Sequence, residues 1–215
     1  MKIEEYEIRN TKDFLTLENL KAKLSNNDLI LIKAYTDKLL EEKLLSYLTE
    51  EEIIKSKDYK SEIAKINYLV SRAILNLSLK GLLEKGINDL IVKRDKNNKP
   101  YLENTIGLKF NISHTEGLVL LAFSKREVGI DVEKINFKFE FKDILENCFT
   151  RDEIINIDNN IISFHRYWTA KEAYLKCDGI GLIRNLKEIE IISFENGFSL
   201  ENLVEEYIKE KFSVY

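Results

Sequence analysis

Leu118-Val119-Leu120-Leu121-Ala122-Phe123-Ser124-Lys125-Arg126-Glu127-Val128-Gly129-Ile130-Asp131-Val132-Glu133 is the stretch on which the fold turns. An apolar run, a polar tetrapeptide and a second apolar-rich run predict two neighbouring strands, 118–123 and 128–132, joined by a turn at 124–127. Residues two apart on a strand share a face. Asp131 and Glu133 then project together, while Ile130 and Val132 face the core. Two such carboxylates repel unless a cation lies between them, and Mg²⁺ often combines one or two carboxylates with substrate phosphates. A solvated acidic face on an edge strand would carry the same residues.

Outward from this stretch the periodicity changes. On the N-terminal side, Leu29-Ile30-Leu31-Ile32 is short and apolar, as a buried strand is. Thr49-Glu50-Glu51-Glu52 predicts a helix start, with Thr49 as cap and Glu52 completing a capping box. Ile63, Ile66, Leu69, Val70, Ala73, Ile74 and Leu77 follow with helical spacing, and Gly81 and Gly86 read as punctuation after that helix. On the C-terminal side, helical patterns cover about 141–147, 150–157 and 161–177, and Ile189-Glu190-Ile191-Ile192 reads as another strand. Helices and antiparallel strands in both halves predict an α+β fold rather than a regular βαβ array.

Composition bounds the function more loosely. The 215 residues suffice for one large domain or two smaller ones, and 44% hydrophobic content can fill a core. A net charge of −4 argues against a nucleic-acid or anionic-membrane binder as a whole, though not against a local basic pocket. Cys148 and Cys177 make neither a disulfide framework nor a Cys-x-x-Cys metal spacing, and read as small core thiols. The N-terminal MKIEEYEIRN has acids where a signal peptide needs an apolar core, and no apolar run reaches a membrane span. The expectation is a soluble, cytoplasmic protein.

Three further motifs carry chemistry. In Trp168-Thr169-Ala170-Lys171-Glu172-Ala173-Tyr174-Leu175-Lys176, Glu172 and Lys176 are four apart and share a helix face. A carboxylate beside a lysine suits a metal–diphosphate site, and equally an ordinary surface pair. In Phe110-Asn111-Ile112-Ser113-His114-Thr115, a strand-end cluster of hydroxyls, an imidazole and backbone N–H groups can hold phosphate oxygens. Lys99-Pro100-Tyr101 places a lysine at an extended turn, because Pro100 biases Lys99 away from helix. His165, the other histidine, has no supporting spacing and reads as a helix-surface residue.

Each motif alone favours a bland explanation. Their order is more specific. Lys-Pro, then Asn-x-Ser-His-Thr, then Gly-Ile-Asp-Val-Glu, then Trp-x-x-Lys-Glu-Ala-x-x-Lys resembles the 4′-phosphopantetheinyl transferase superfamily, and the length fits its larger, surfactin-synthetase-activating (Sfp-like) type. The resemblance implies two similar α+β halves related by a pseudo-twofold axis, with the active site in the cleft between them. It implies Mg²⁺ held by Asp131, Glu133 and Glu172, and Lys176 on the diphosphate of coenzyme A. Ser113 and His114 match positions at the coenzyme A phosphates, Lys99 and Pro100 a segment near the nucleotide, and Lys171 belongs to the same coenzyme A-binding motif. Glu153, in Phe149-Thr150-Arg151-Asp152-Glu153, resembles a segment supplying a base glutamate, and fits equally a helix-start acid favoured by the macrodipole. Glu153, Glu172 and Lys176 thus form the expected catalytic set.

The implied reaction moves the phosphopantetheine arm of coenzyme A onto a serine of an apo carrier protein. Ile135-Asn136-Phe137-Lys138-Phe139-Glu140-Phe141, unusually apolar for a connection, matches the region that receives the carrier, with Phe137 and Phe139 as docking candidates or, alternatively, as core residues of a short strand. Two halves in one chain could work as a monomer. The expected organisation is an N-terminal extension at 1–27, a first half at 28–115 and a second half at 116–215 carrying the metal site. The candidates for the 3′-phosphate, Lys55, Lys57, Lys65 and Arg72, are in poor register, and the C-terminus at Lys211–Tyr215 is shorter than the family's closing strands. Two other readings fit part of the pattern. One is an inactive coenzyme A-binding or regulatory protein; the other is a metal-dependent nuclease or phosphatase built on Asp131 and Glu133.

Overall fold

The structure, a computed structural model, describes residues 2–36, 39, 42–103, 105, 107–179, 185–194 and 197–202. The chain divides into two units, Met1–Val132 and Glu133–Tyr215. The expected division at 115/116 would instead cut the turn of a hairpin whose strands pair over seven residues each.

The first unit is built on a four-stranded sheet. Its strands are β1 (Ile3–Ile8), β2 (Leu29–Tyr35), β5 (Lys109–Thr115) and β6 (Leu118–Ser124), in the order β1-β2-β6-β5. β1 runs parallel to β2, and the other two pairings are antiparallel. Between them lie α1 (Leu20–Asn26), α2 (Glu42–Leu45), α3 (Glu50–Ser56), the 22-residue α4 (Glu62–Leu83) and a small hairpin of β3 (Val92–Arg94) and β4 (Pro100–Leu102). Alternation puts Ile30 and Ile32 of β2 on one face with Phe123 and Leu121 of β6, directly opposite them. Phe110 and Ile112 of β5 continue that face, which packs in one core with Val70, Ile74 and Leu77 of α4.

Residues 1–27 are integral to this unit. Ile8, Leu17 and Leu20 are fully enclosed and Phe14 nearly so. β1 itself is a charged edge strand: Glu4 pairs with Lys23 and Glu5 with Lys33. Its row of acids hides the strand from a periodicity search, because at an edge the exposed side chains need not be apolar.

Two further expectations change. Gly81 lies inside α4 rather than after it; the helix ends at Leu83, capped by Glu84 in the left-handed region at φ 55°. Second, 128–132 forms no ladder strand, and the strand that β6 actually pairs with on this side is β5, which precedes it. The tight β5–β6 turn takes Gly117 at φ 85°, a conformation that suits glycine.

The second unit is helical with one described hairpin. Its helices are α5 (Lys142–Cys148), α6 (Arg151–Ile157) and α7 (Ile161–Asp178); β7 (Ile189–Phe194) pairs antiparallel with β8 (Gly197–Asn202). Phe149, Ile157, Phe164, Leu175, Ile189 and Ile191 form its core. α7 starts at Asn160, whose side chain accepts from the N–H groups of Ile162 and Ser163, and it stops at Gly179 at φ 76°. The segment Lys211–Tyr215 lies outside the described residues. Among the described residues no helix is long and apolar enough to cross a membrane.

Candidate functional site

The two-residue period of β5 positions the candidate residues of the first unit. Phe110 and Ile112 face the core, so Asn111 and Ser113 occupy the opposite face, where both are buried. The segment 130–132 runs against that face, held by side chains in place of a backbone ladder. Asn111 Oδ1 accepts from the N–H of Ile130 at 3.1 Å. Ser113 Oγ accepts from the N–H of Val132 at 3.3 Å and donates to Asp131 Oδ1 at 2.8 Å. The hydroxyl thereby satisfies a backbone donor and orients a half-buried carboxylate.

This differs from the sequence expectation in two ways. Asp131 is fixed by a serine on the neighbouring strand, not by strand pleating, and Glu133 beyond it is exposed. Ser113 meets Asp131 where a phosphate contact was expected. Asn111 has no assigned role in the Asn-x-Ser-His-Thr motif, although a polar residue two before Ser113 on a core strand marks a face that covers something other than apolar side chains. Ser113→Ala deletes a hydrogen bond to a charged group and is expected to destabilise the fold by about 2 kcal/mol, read by denaturant unfolding. An unchanged unfolding midpoint would exclude this positioning role.

His114, pointing to the other face from Ser113, is exposed at the strand end. Lys99 and Pro100 sit where β3 turns into β4, and Pro100 takes the first strand position, where a missing N–H is tolerated. The Lys99 side chain is only 16% exposed, and its ammonium lies 2.7 Å from Glu127 Oε2. Lys109 reaches the other oxygen of the same carboxylate at 2.5 Å. Burial raises the Glu127 pKa, but the bonds from Lys109 and Lys99 outweigh it and hold the carboxyl below its ordinary value.

In the second unit the candidate residues lie on α7. Trp168, Glu172 and Lys176 fall on one stripe of the helix, four residues apart, and all three are half-buried. Trp168 packs against Phe164 and Phe149, with ring centroids 6.0 and 6.4 Å away. The core-facing stripe beside it carries an unusual member. Lys171 is 0% exposed, and its ammonium lies 2.8 Å from Glu153 Oε2, another 0%-exposed group. The same ammonium donates to the carbonyls of Leu186 and Ile189, each at 2.7 Å, so its three protons are all used. Glu153 also accepts from the N–H of Thr150 at 2.7 Å, closing the capping box of α6, and from the N–H of Ile191 at 2.8 Å. Burial pushes the Glu153 carboxyl up and the Lys171 ammonium down, each opposed by the other's charge. Of the two readings of Glu153, the helix-start acid is the one whose geometry is present; the enclosed carboxylate faces protein on every side. Lys171 likewise points away from the stripe that holds Glu172 and Lys176.

The connection before α5 is not a short strand. Phe137 is 73% exposed and Phe139 40% exposed. Phe139 leans on Phe164 and His165, with centroids 5.8 and 6.4 Å apart, and His165 Nε2 accepts weakly from the N–H of Asn136 at 3.4 Å. His165 is therefore more than a surface residue: burial lowers its pKa, and it braces this connection.

Among the described residues no group of three or more His, Cys, Asp or Glu side chains is gathered to hold a metal ion. The donor chemistry of Asp131, Glu133 and Glu172 is nevertheless all oxygen and anionic, the kind a hard dication such as Mg²⁺ takes.

Comparison with known proteins follows the same residues. Residues 127–214 match the family model described as "4′-phosphopantetheinyl transferase superfamily", and residues 39–126 match "4′-phosphopantetheinyl transferase, N-terminal". The chain is 31% identical over 159 residues to 4′-phosphopantetheinyl transferase HetI of Nostoc sp. (strain PCC 7120), covering 69% of this chain and 66% of that one. It is 32% identical over 99 residues to 4′-phosphopantetheinyl transferase gsp of Aneurinibacillus migulanus, covering 44% and 40%. With 4′-phosphopantetheinyl transferase Sfp of Bacillus subtilis the identity is 22% over 161 residues, covering 73% and 71%. The matches to HetI and gsp thus span under two thirds of those relatives' own lengths.

Proposed function

Because the chain belongs to the 4′-phosphopantetheinyl transferase superfamily, we propose that it transfers the 4′-phosphopantetheine moiety of coenzyme A to a serine of an apo carrier protein, releasing adenosine 3′,5′-bisphosphate. The observation that carries this is the tandem match of two family models, which together run from residue 39 to 214. The Sfp-like type fits a chain that holds both halves, and the reading extends to a monomer acting in the cytoplasm, with coenzyme A as the donor substrate.

In this reading the carrier serine oxygen attacks the β-phosphorus of coenzyme A. The bond from that phosphorus to the bridging diphosphate oxygen breaks, the bisphosphate leaves with that oxygen, and the serine hydroxyl proton is released to solvent water. Such transfers depend on positioning and on neutralising charge that is already present. Asp131, Glu133 and Glu172 would hold Mg²⁺, which when bound neutralises diphosphate charge as a Lewis acid. Lys176 contributes fixed positive charge one turn from Glu172. Ser113 keeps the Asp131 carboxylate turned, and His114, Lys99 and Pro100 belong to the nucleotide side of coenzyme A. The burial of Glu153 and Lys171 supports leaving both out of substrate contact and proton transfer.

The carrier docks on the exposed aromatic connection. Phe137 offers a large apolar surface with nothing of its own unit over it, and Phe139 is held in place by Phe164. Phe137→Ala is expected to raise the KM for carrier about tenfold, the size of a modest interface anchor, with kcat nearly unchanged. An unaltered KM would overturn the docking assignment. The reaction itself is tested by incubating a panel of apo carriers with coenzyme A and Mg²⁺ and reading intact mass. Tight coenzyme A binding with no mass gain on any carrier would favour the inactive alternative.

A further inference from the structure

The buried Glu153–Lys171 pair is not an isolated oddity of the second unit. The first unit contains the same device in the same order. Thr49 caps α3 and Glu52 closes its capping box, as Thr150 and Glu153 do for α6. Both capped helices are seven residues long, and each is followed by the long helix of its unit. In each long helix the eleventh residue is basic, Arg72 in α4 and Lys171 in α7. Each reaches back to the capping glutamate: Arg72 Nε lies 2.5 Å from Glu52 Oε1, and Lys171 Nζ lies 2.8 Å from Glu153 Oε2.

The remaining bonds also correspond in kind. Glu52 accepts from the N–H of Thr49 and from the side-chain amide of Asn76, which in turn donates to the carbonyl of Tyr47. Glu153 accepts from the N–H groups of Thr150 and Ile191, and Lys171 donates to Leu186 and Ile189. In both units one carboxylate ties a helix N-terminus, a long helix and a further stretch of chain together. The first unit's version lies on a helix that carries none of Asp131, Glu133, Glu172 and Lys176, so the device has a purpose independent of proton transfer.

What differs in the second unit is the neighbour. Glu172 follows Lys171 directly, and Lys176 lies five residues on. A side chain pinned at three points fixes both the rotation of α7 about its axis and its register along it. Rotation by one residue would move Glu172 about 100° around the helix. Resting on the transferase reading above, we propose that Glu153 and Lys171 are positioning residues, a clamp repeated from the first unit that sets the rotation of α7 and so the presentation of Glu172 and Lys176.

The test separates a clamp from a base. Lys171→Met with Glu153→Leu replaces the buried pair by apolar residues of similar volume, a change such sites commonly tolerate. The double variant is expected to keep transfer within about tenfold of the parent and to retain the acid limb of the pH–rate profile. Lys171→Met alone strands a buried carboxylate; amide exchange along α7 should then accelerate and both kcat and the melting temperature fall. Glu153→Gln is nearly isosteric and guards against a double variant that fails to fold. The clamp predicts a loss within about tenfold with the acid limb intact; a general base predicts a loss of roughly 10²–10⁴-fold and a vanished limb. A folded double variant or Glu153→Gln with the larger loss overturns the proposal, as does unchanged α7 exchange in Lys171→Met. Should the parent modify no carrier at all, the transferase reading fails, while the exchange measurements still decide whether the pair clamps α7.

Discussion

Glu172→Gln and Lys176→Ala each lower kcat for carrier modification by roughly 10²–10³-fold, the loss expected when one preorganised charge is removed from a developing charge distribution. Neither should move the melting temperature by more than a degree or two, because both side chains lie on the half-exposed stripe of α7, away from its packed face. Asp131→Asn is the matching test in the first unit. Asparagine still accepts the 2.8 Å bond from Ser113, so the variant removes the charge and spares the scaffold. Its loss should shrink as Mg²⁺ is raised, whereas that of Lys176→Ala should not respond to the metal. Intact-mass kinetics at several Mg²⁺ concentrations provide all three comparisons. Full-rate modification by any one variant would strike that residue from the reactive set. The contrast with the clamp is sharp. Glu172 and Lys171 are adjacent, yet one substitution should stop chemistry with the fold intact and the other should loosen the helix.

How far this was legible in the sequence depended on whether the signal was local. Thr49–Glu52 and the three C-terminal helices declare themselves through caps and spacing, which are matters of a few residues. The strand at 189–192 likewise follows from its own apolar run. The segment 128–132 shows the limit. Alternation marks it as extended, but alternation does not reveal which groups receive its N–H donors. Those receivers are Asn111 and Ser113, about twenty residues earlier on β5. Glu153 and Lys171 show the same limit from another side. Each is recognisable within its motif, but eighteen residues separate the two, and nothing local says that a lysine in a Trp-x-x-Lys-Glu motif turns inward. β1 escapes a periodicity search because an edge strand can be charged on its exposed face. A comparison of Thr49–Arg72 with Thr150–Lys171 could have exposed the clamp from sequence: two Thr-x-x-Glu caps, each followed eighteen to twenty residues later by a base.

Gly81 is where a local rule gives the wrong sign. In an open helix, replacing glycine by alanine stabilises by about 1 kcal/mol, because alanine loses less backbone freedom on folding. At Gly81 a Cβ would lie 2.0 Å from the carbonyl oxygen of Leu17 and 3.1 Å from its carbonyl carbon. Those atoms are backbone, at the end of the 3₁₀ turn Thr11–Leu17, so no side chain can swing aside. Leu17 and Leu20 are both fully enclosed in the same core, which leaves the turn little room to retreat. Overpacking that forces backbone to move costs about 3 kcal/mol, and this exceeds the propensity gain. Gly81→Ala is therefore expected to destabilise the first unit by about 2 kcal/mol, lowering the melting temperature by roughly 6 °C. A control fixes the cause: Lys80→Ala, one residue earlier and exposed, should leave the melting temperature within about 1 °C of the parent, since both residues are good helix formers. If Gly81→Ala melts at or above the parent, α4 does not pass this close to the 11–17 turn. Residues 1–27 would then be the loose extension that their charge pattern suggests.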